Sequence, residues 1–109
     1  MGGATPSQPA PKKKHFVVRL IPPRQTFAGD MTDEERATMA AHGAYWRDLM
    51  SRGIALLFGP VLDPAGVWGL GILEARDQDE AREIAVQDPA IKSGLNRAEI
   101  HEISAVVRG

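Results

Sequence analysis

Residues 15–21 (HFVVRLI) alternate in register. Phe16, Val18 and Leu20 share one face, Val17, Arg19 and Ile21 the other, and Pro22-Pro23 ends the run. This predicts a β-strand. Residues 22–31 hold two prolines and Gly29 with no periodicity, which predicts a loop long enough to carry function. At Thr32 the period becomes helical. Met39, Trp46, Leu49 and Met50 form an apolar stripe, with Ala41, Ala44 and Asp48 opposite. Thr32 and Glu35 have capping-box spacing, Asp33 and Glu34 suit the positive end of the helix, and Arg47 and Arg52 suit the negative end. Gly53 ends this helix near residue 52. Residues 54–61 (IALLFGPV) and 67–74 (VWGLGILE) read as two strands of a hairpin joined by LDPAG. Gly69 and Gly71 share a face of the second, where something must approach the backbone closely. Asp77 and Glu80 open a second helix over 78–87, and Asp88-Pro89 stops it. Residues 90–94 form a short turn or half-helix, and 97–107 a last strand.

The order βαββαβ predicts an α+β, ferredoxin-like domain, with a four-stranded antiparallel sheet and both helices on one face. Apolar residues occur on both faces of the strands, as in Leu56 with Leu57 and Leu70 with Leu73. The face away from the helices then needs a cover. A second copy of the same sheet supplies one, so a homodimer packed through its sheets is expected.

With 109 residues, the chain is the size of one domain. Residues 1–14 are Gly, Pro, Ser and Gln around Lys12-Lys13-Lys14, a composition expected to be a disordered tail before a domain over 15–109. The lysines run straight into the first strand, unlike a secretory signal, and a cytoplasmic protein is expected. No apolar run approaches the ~20 residues that span a bilayer, so no membrane partner is expected. There are no cysteines, which removes disulfides, thiol catalysis and thiolate zinc sites. The formal net charge is -1. Of the 13 Lys and Arg, three lie in the tail, leaving 10 against 14 Asp and Glu, so nucleic acid is not an expected partner.

Of three histidines, His15 begins a strand beside lysines and His101 stands near Glu99 and Glu102; both fit solvated strand positions. His42 is different. It lies three residues after Met39 and four before Trp46, within the apolar stripe, where a polar ring must find a partner. Asp88 falls on the apolar face of the second helix, at an end where an acid opposes the helix dipole. A structural histidine and a helix-stopping Asp-Pro are the bland readings. The chemical reading is a carboxylate that orients an imidazole for acid–base work. Candidate ligand contacts are Trp46, Gly59-Pro60, and the arginines Arg19, Arg24 and Arg36, which suit an anionic group or remain solvated. The histidines have no metal-ligand spacing, and no Gly-rich phosphate loop or nucleophilic serine motif is present, so neither metal nor cofactor is expected.

The strand FVVRLI, the histidine in AAHGAYWRDLM, the strand end FGPV, VWGLGILEA and DPAIKSGL together resemble the YciI-like (YCII-related) family of the dimeric α+β barrel superfamily. The resemblance spans nearly all of the chain beyond the tail. It implies that His42 and Asp88 match the family's proposed catalytic dyad and that Gly59-Pro60 match its Gly-Pro. It further implies a dimer with a pocket beside the dyad. The reaction class it carries is cofactor-free proton transfer on small cyclic or aromatic compounds, as in a similar dehydrochlorinase and in muconolactone isomerases. Two functions follow. One is an enzyme performing elimination or isomerisation with His42 and Asp88. The other is a non-catalytic small-ligand binder in which the pair only satisfies buried polarity. A pair at the floor of an open pocket favours the first, a sealed pair the second.

Overall fold

The computed structural model describes residues 13–108; the expected tail up to residue 12 lies outside the described residues. Four antiparallel strands, β1 (Lys14–Ile21), β2 (Ala55–Val61), β3 (Trp68–Ala75) and β4 (Arg97–Ile103), stand in the order β2-β3-β1-β4. Two long helices, α2 (Asp33–Ser51) and α3 (Gln78–Val86), connect them. Two single turns, α1 (Phe27–Asp30) and α4 (Pro89–Lys92), complete the chain. The architecture is α+β and ferredoxin-like.

The alternation of β1 sets the two faces. Phe16, Val18 and Leu20 are buried and pair across the sheet with Leu73, Gly71 and Gly69. They meet Trp46 and Leu49 of α2 and the small residues Ala81 and Ala85 of α3. Tyr45 was not foreseen on the stripe; its hydroxyl donates to the Ile84 carbonyl at 2.6 Å and ties α2 to α3. Met50 was placed on the stripe but is 42% exposed, at its far edge. The helix turns by about 100° per residue, which puts Met50 on the opposite side of Trp46 from Leu49, at the margin of the stripe.

The cap of α2 forms as its spacing required. Glu35 N–H donates to Thr32 Oγ1 at 3.1 Å, and Thr32 N–H donates to Glu35 Oε1 at 2.8 Å. Such a cap contributes about 0.5–2 kcal/mol. Gly53, at φ 73°, carries the chain away from the helix.

Three readings of the sequence are revised. The loop over 22–31 contains the helical turn α1, whose Phe27 is buried. The last strand ends at Ile103 rather than 107: among the described residues its pairing with β1 runs as far as His15↔Ile103. Asp88, expected as part of an Asp-Pro stop after the second helix, is the N-cap of α4. Its Oδ1 accepts from Ala90 N–H at 2.8 Å, with Pro89 at the first helical position. The apparent conflict of an acid with a helix C-terminus is removed, since here it faces the positive end of the next turn.

Gly71 has one purpose in this packing. A Cβ there would overlap Cη2 and Cζ3 at the outer edge of the Trp46 indole, so only glycine lets that ring come so close to β3. Gly71→Ala is therefore expected to destabilise the fold by about 1–3 kcal/mol through overpacking. Urea unfolding would measure this; an unchanged midpoint would mean that Trp46 moves aside freely.

Candidate functional site

Between α2, the segment 22–31, the β2–β3 hairpin and the α4–β4 connection lies a cavity of about 250 Å³. Its wall is mostly apolar: Leu20, Phe27, Met31, Met39, Phe58 and Pro60 contribute, with the polar residues His42 and Asn96 among them.

His42 and Asp88 meet. His42 Nδ1 lies 2.7 Å from Asp88 Oδ2. The same oxygen accepts from Trp46 Nε1–H at 2.8 Å, and Oδ1 accepts from Ala90 N–H. Asp88 is fully buried, while the His42 side chain is 15% exposed. A carboxylate only accepts hydrogen bonds, so the proton of that contact sits on His42 Nδ1. Nε2 makes no hydrogen bond among the described residues, and the ring lines the cavity. The imidazole also meets Phe58 edge-on, with centroids 6.5 Å apart and planes at 84°, and Phe58 stacks on Trp46 at 6.0 Å. The pair is thus held from beneath by the core and open on one side. Burial pushes the nearby Tyr45 hydroxyl up, and the charge of Asp88 adds to this.

The other candidates separate. Gly59 and Pro60 are on the cavity wall. Trp46 is not: it is fully buried, and its only polar atom is spent on Asp88, so it supports the pair from the core. None of the three arginines lines this cavity. Arg19 stacks over Trp68 at 4.7 Å on the opposite face of the sheet, 3.7 Å from Glu99. Together with Arg24 it borders a shallower groove there, of about 260 Å³. Arg36 is exposed and pairs with Asp33 at 3.2 Å.

Arg24 is a clasp. It donates two hydrogen bonds to Glu35 at 2.8 and 2.9 Å, and its Nε donates to Asp30 at 2.8 Å. Thr26 closes the ring through a 2.7 Å bond to Asp30. Phe27 and Met31, on the tethered segment, form part of the cavity wall. With its donors engaged by carboxylates, Arg24 has no free edge for an anionic ligand. Among the described residues no group of three or more His, Asp or Glu is placed to hold a metal ion, and no helix is long and apolar enough to cross a membrane.

Asn96 was missed by sequence reasoning. It is 4% exposed and on the cavity wall, yet it stands at the start of β4 outside any periodic stripe. Its neighbour Gly94, in the left-handed region at φ 80°, was the only local signal of an unusual turn.

Residues 15–104 match the YCII-related domain, and the chain belongs to that family. No curated protein matches significantly. Among solved structures it is similar in fold to 5-chloro-2-hydroxyhydroquinone dehydrochlorinase (TftG) from Burkholderia phenoliruptrix, determined in complex with 2,5-dihydroxybenzoquinone. The two share 21% identity with a TM-score of 0.60, over 80% of this chain and 90% of that one.

The Arg24 clasp is sensitive to acid. The Arg24 guanidinium, and then the Thr32 N–H, hold the Glu35 carboxyl down from 4.5 to about 2. A carboxyl lowered on folding stabilises the fold above its unfolded value, and that contribution is lost as pH falls through the folded one. Wild type is therefore expected to lose stability between pH 4.5 and about 2 more steeply than Glu35→Gln. Urea midpoints across that range test this; parallel profiles would show that the clasp does not contribute.

Proposed function

We propose that this protein is a small cofactor-independent enzyme that moves a proton on a small cyclic or aromatic compound, by elimination or isomerisation. The observation that carries the proposal is the His42–Asp88 pair, bonded through Nδ1 and leaving Nε2 without a partner among the described residues, on an apolar cavity wall. Two further donors, Trp46 and Ala90, engage Asp88, so the carboxylate holds the ring in one tautomer and one orientation. Nε2 then carries the lone pair and takes a proton from the ligand. In an elimination, the electron pair of the broken bond to hydrogen forms the new double bond, and the leaving group departs with its own pair. Asp88 stabilises the imidazolium in the meantime without taking its proton. The similarity in fold to a dehydrochlorinase crystallised with a dihydroxybenzoquinone supports this reaction class. The pair is open to the cavity rather than sealed, which favours an enzyme over a passive binder.

With 5-chloro-2-hydroxyhydroquinone as the test substrate, His42→Ala is expected to lower chloride release by about 10²–10⁴-fold. Asp88→Asn should lower it too, and the double variant should be little worse than the more severe single, because one group acts through the other. Nitrogen NMR of the neutral ring should find the proton on Nδ1 in wild type and a mixture of tautomers in Asp88→Asn. Chloride release indifferent to His42→Ala, or a wild-type ring protonated on Nε2, would sink the reading.

The sheet face away from the helices supports a homodimer as the working form. Val17, Ile21, Leu70 and Ile72 lie there half-buried, with Leu57 49% exposed beside them. Face-to-face packing with a second copy would cover this surface. Light scattering should report twice the chain mass of 11.8 kDa, and Leu57→Lys should shift the protein towards the single mass. A wild type at the single mass at micromolar concentration would count against the dimer.

A further inference from the structure

Asn96 is almost wholly buried, and its side chain is poorly satisfied at both ends. Its Oδ1 is buried with no hydrogen-bond donor among the described residues. Its Nδ2 donates only to the Met39 thioether at 3.3 Å, a weak acceptor. Buried polar atoms in folded proteins are nearly always paired, and an orphan needs a reason. The backbone explains the residue's position but not its side chain. Asn96 N–H donates to the Ala90 carbonyl at 2.8 Å, a bond that any residue except proline would make. The amide lies on the wall of the same cavity as His42. The torsion that turns it is soft, so its oxygen and nitrogen can exchange places without moving the backbone.

We propose that Asn96 determines specificity in this cavity: its amide oxygen accepts a hydrogen bond from a hydroxyl group of the bound ligand, while another part of the ligand meets His42. This rests on the reading of the cavity as a small-molecule site. The apolar wall formed by Phe27, Phe58 and Pro60 fits a flat hydrocarbon body, and the two polar positions fit substituents on it. The ligand class is thus a hydroxylated ring rather than its ether or a plain hydrocarbon. An apolar ring alone would leave the orphan oxygen unpaired.

Hydroquinone and 1,4-dimethoxybenzene are matched probes, and calorimetric titration reads both. Wild type should prefer hydroquinone by at least about tenfold, the typical effect of leaving a buried polar group unpaired. His42→Ala should keep a preference for the hydroxyl compound. Adding Asn96→Leu, which preserves shape, should bring the two affinities to near parity. The melting temperature of Asn96→Leu should equal or exceed that of wild type, since an unpaired polar group is replaced by an apolar one. A preference that survives in the double variant, equal affinities in wild type, no binding of either probe, or a marked fall in melting temperature would each overturn the proposal. Its failure is separable from that of the proton-transfer reading. Chloride release indifferent to His42→Ala would end that reading and leave the Asn96 preference standing. Equal probe affinities beside His42-dependent chloride release would do the reverse.

Discussion

The Asp88 carboxylate is the point on which the arrangement depends. A carboxylate removed from water is costly unless its lone pairs are filled. Three N–H groups fill them, two from α2 and one from α4: the indole of Trp46, the imidazole of His42 and the backbone amide of Ala90. The indole and the backbone amide can only donate. They fix the carboxylate as an acceptor and leave the imidazole no choice of tautomer. Position, protonation and orientation of His42 thus follow from a group that never touches the cavity.

That carboxylate is in turn positioned by core packing. Trp46 reaches Asp88 because its ring lies against β3, and it lies there because residue 71 has no side chain. Ala81, Ala85 and Ala90 are small enough to bring α3 and the following turn close. A glycine in a strand, three alanines and a buried indole thus place the one acid that His42 meets.

Much of this was legible in the sequence, for local reasons. Two periods, a capping box and a hairpin turn determine the strand and helix order. His42 stood out because a polar ring on an apolar stripe needs a partner, and Asp88 because an acid before proline sat on a buried face. Their meeting across 46 positions is a tertiary fact that the resemblance pointed to and periodicity alone did not. What misled was local chemistry read without its neighbours. Arg24 has the form of an anion binder until Glu35 and Asp30 are seen to occupy it. Trp46 has the form of a ligand contact until it is seen beneath the sheet. Gly71 marked a close approach, but the approaching group is Trp46 rather than a ligand. Asn96 was illegible because an unpaired amide is defined by what its surroundings lack.

The segment tethered by Arg24 stands apart from this support. Phe27, Ala28 and Met31 shape the cavity from a stretch of chain that makes no hydrogen bond to Asp88 or His42. The size of the cavity and the machinery beneath it are held by different residues. Exchanges within that stretch would alter the shape of the cavity while the carboxylate keeps its three donors. The two can therefore vary independently: ten residues near the start of the domain bear on the outline of the cavity and leave the His42–Asp88 pair as it stands.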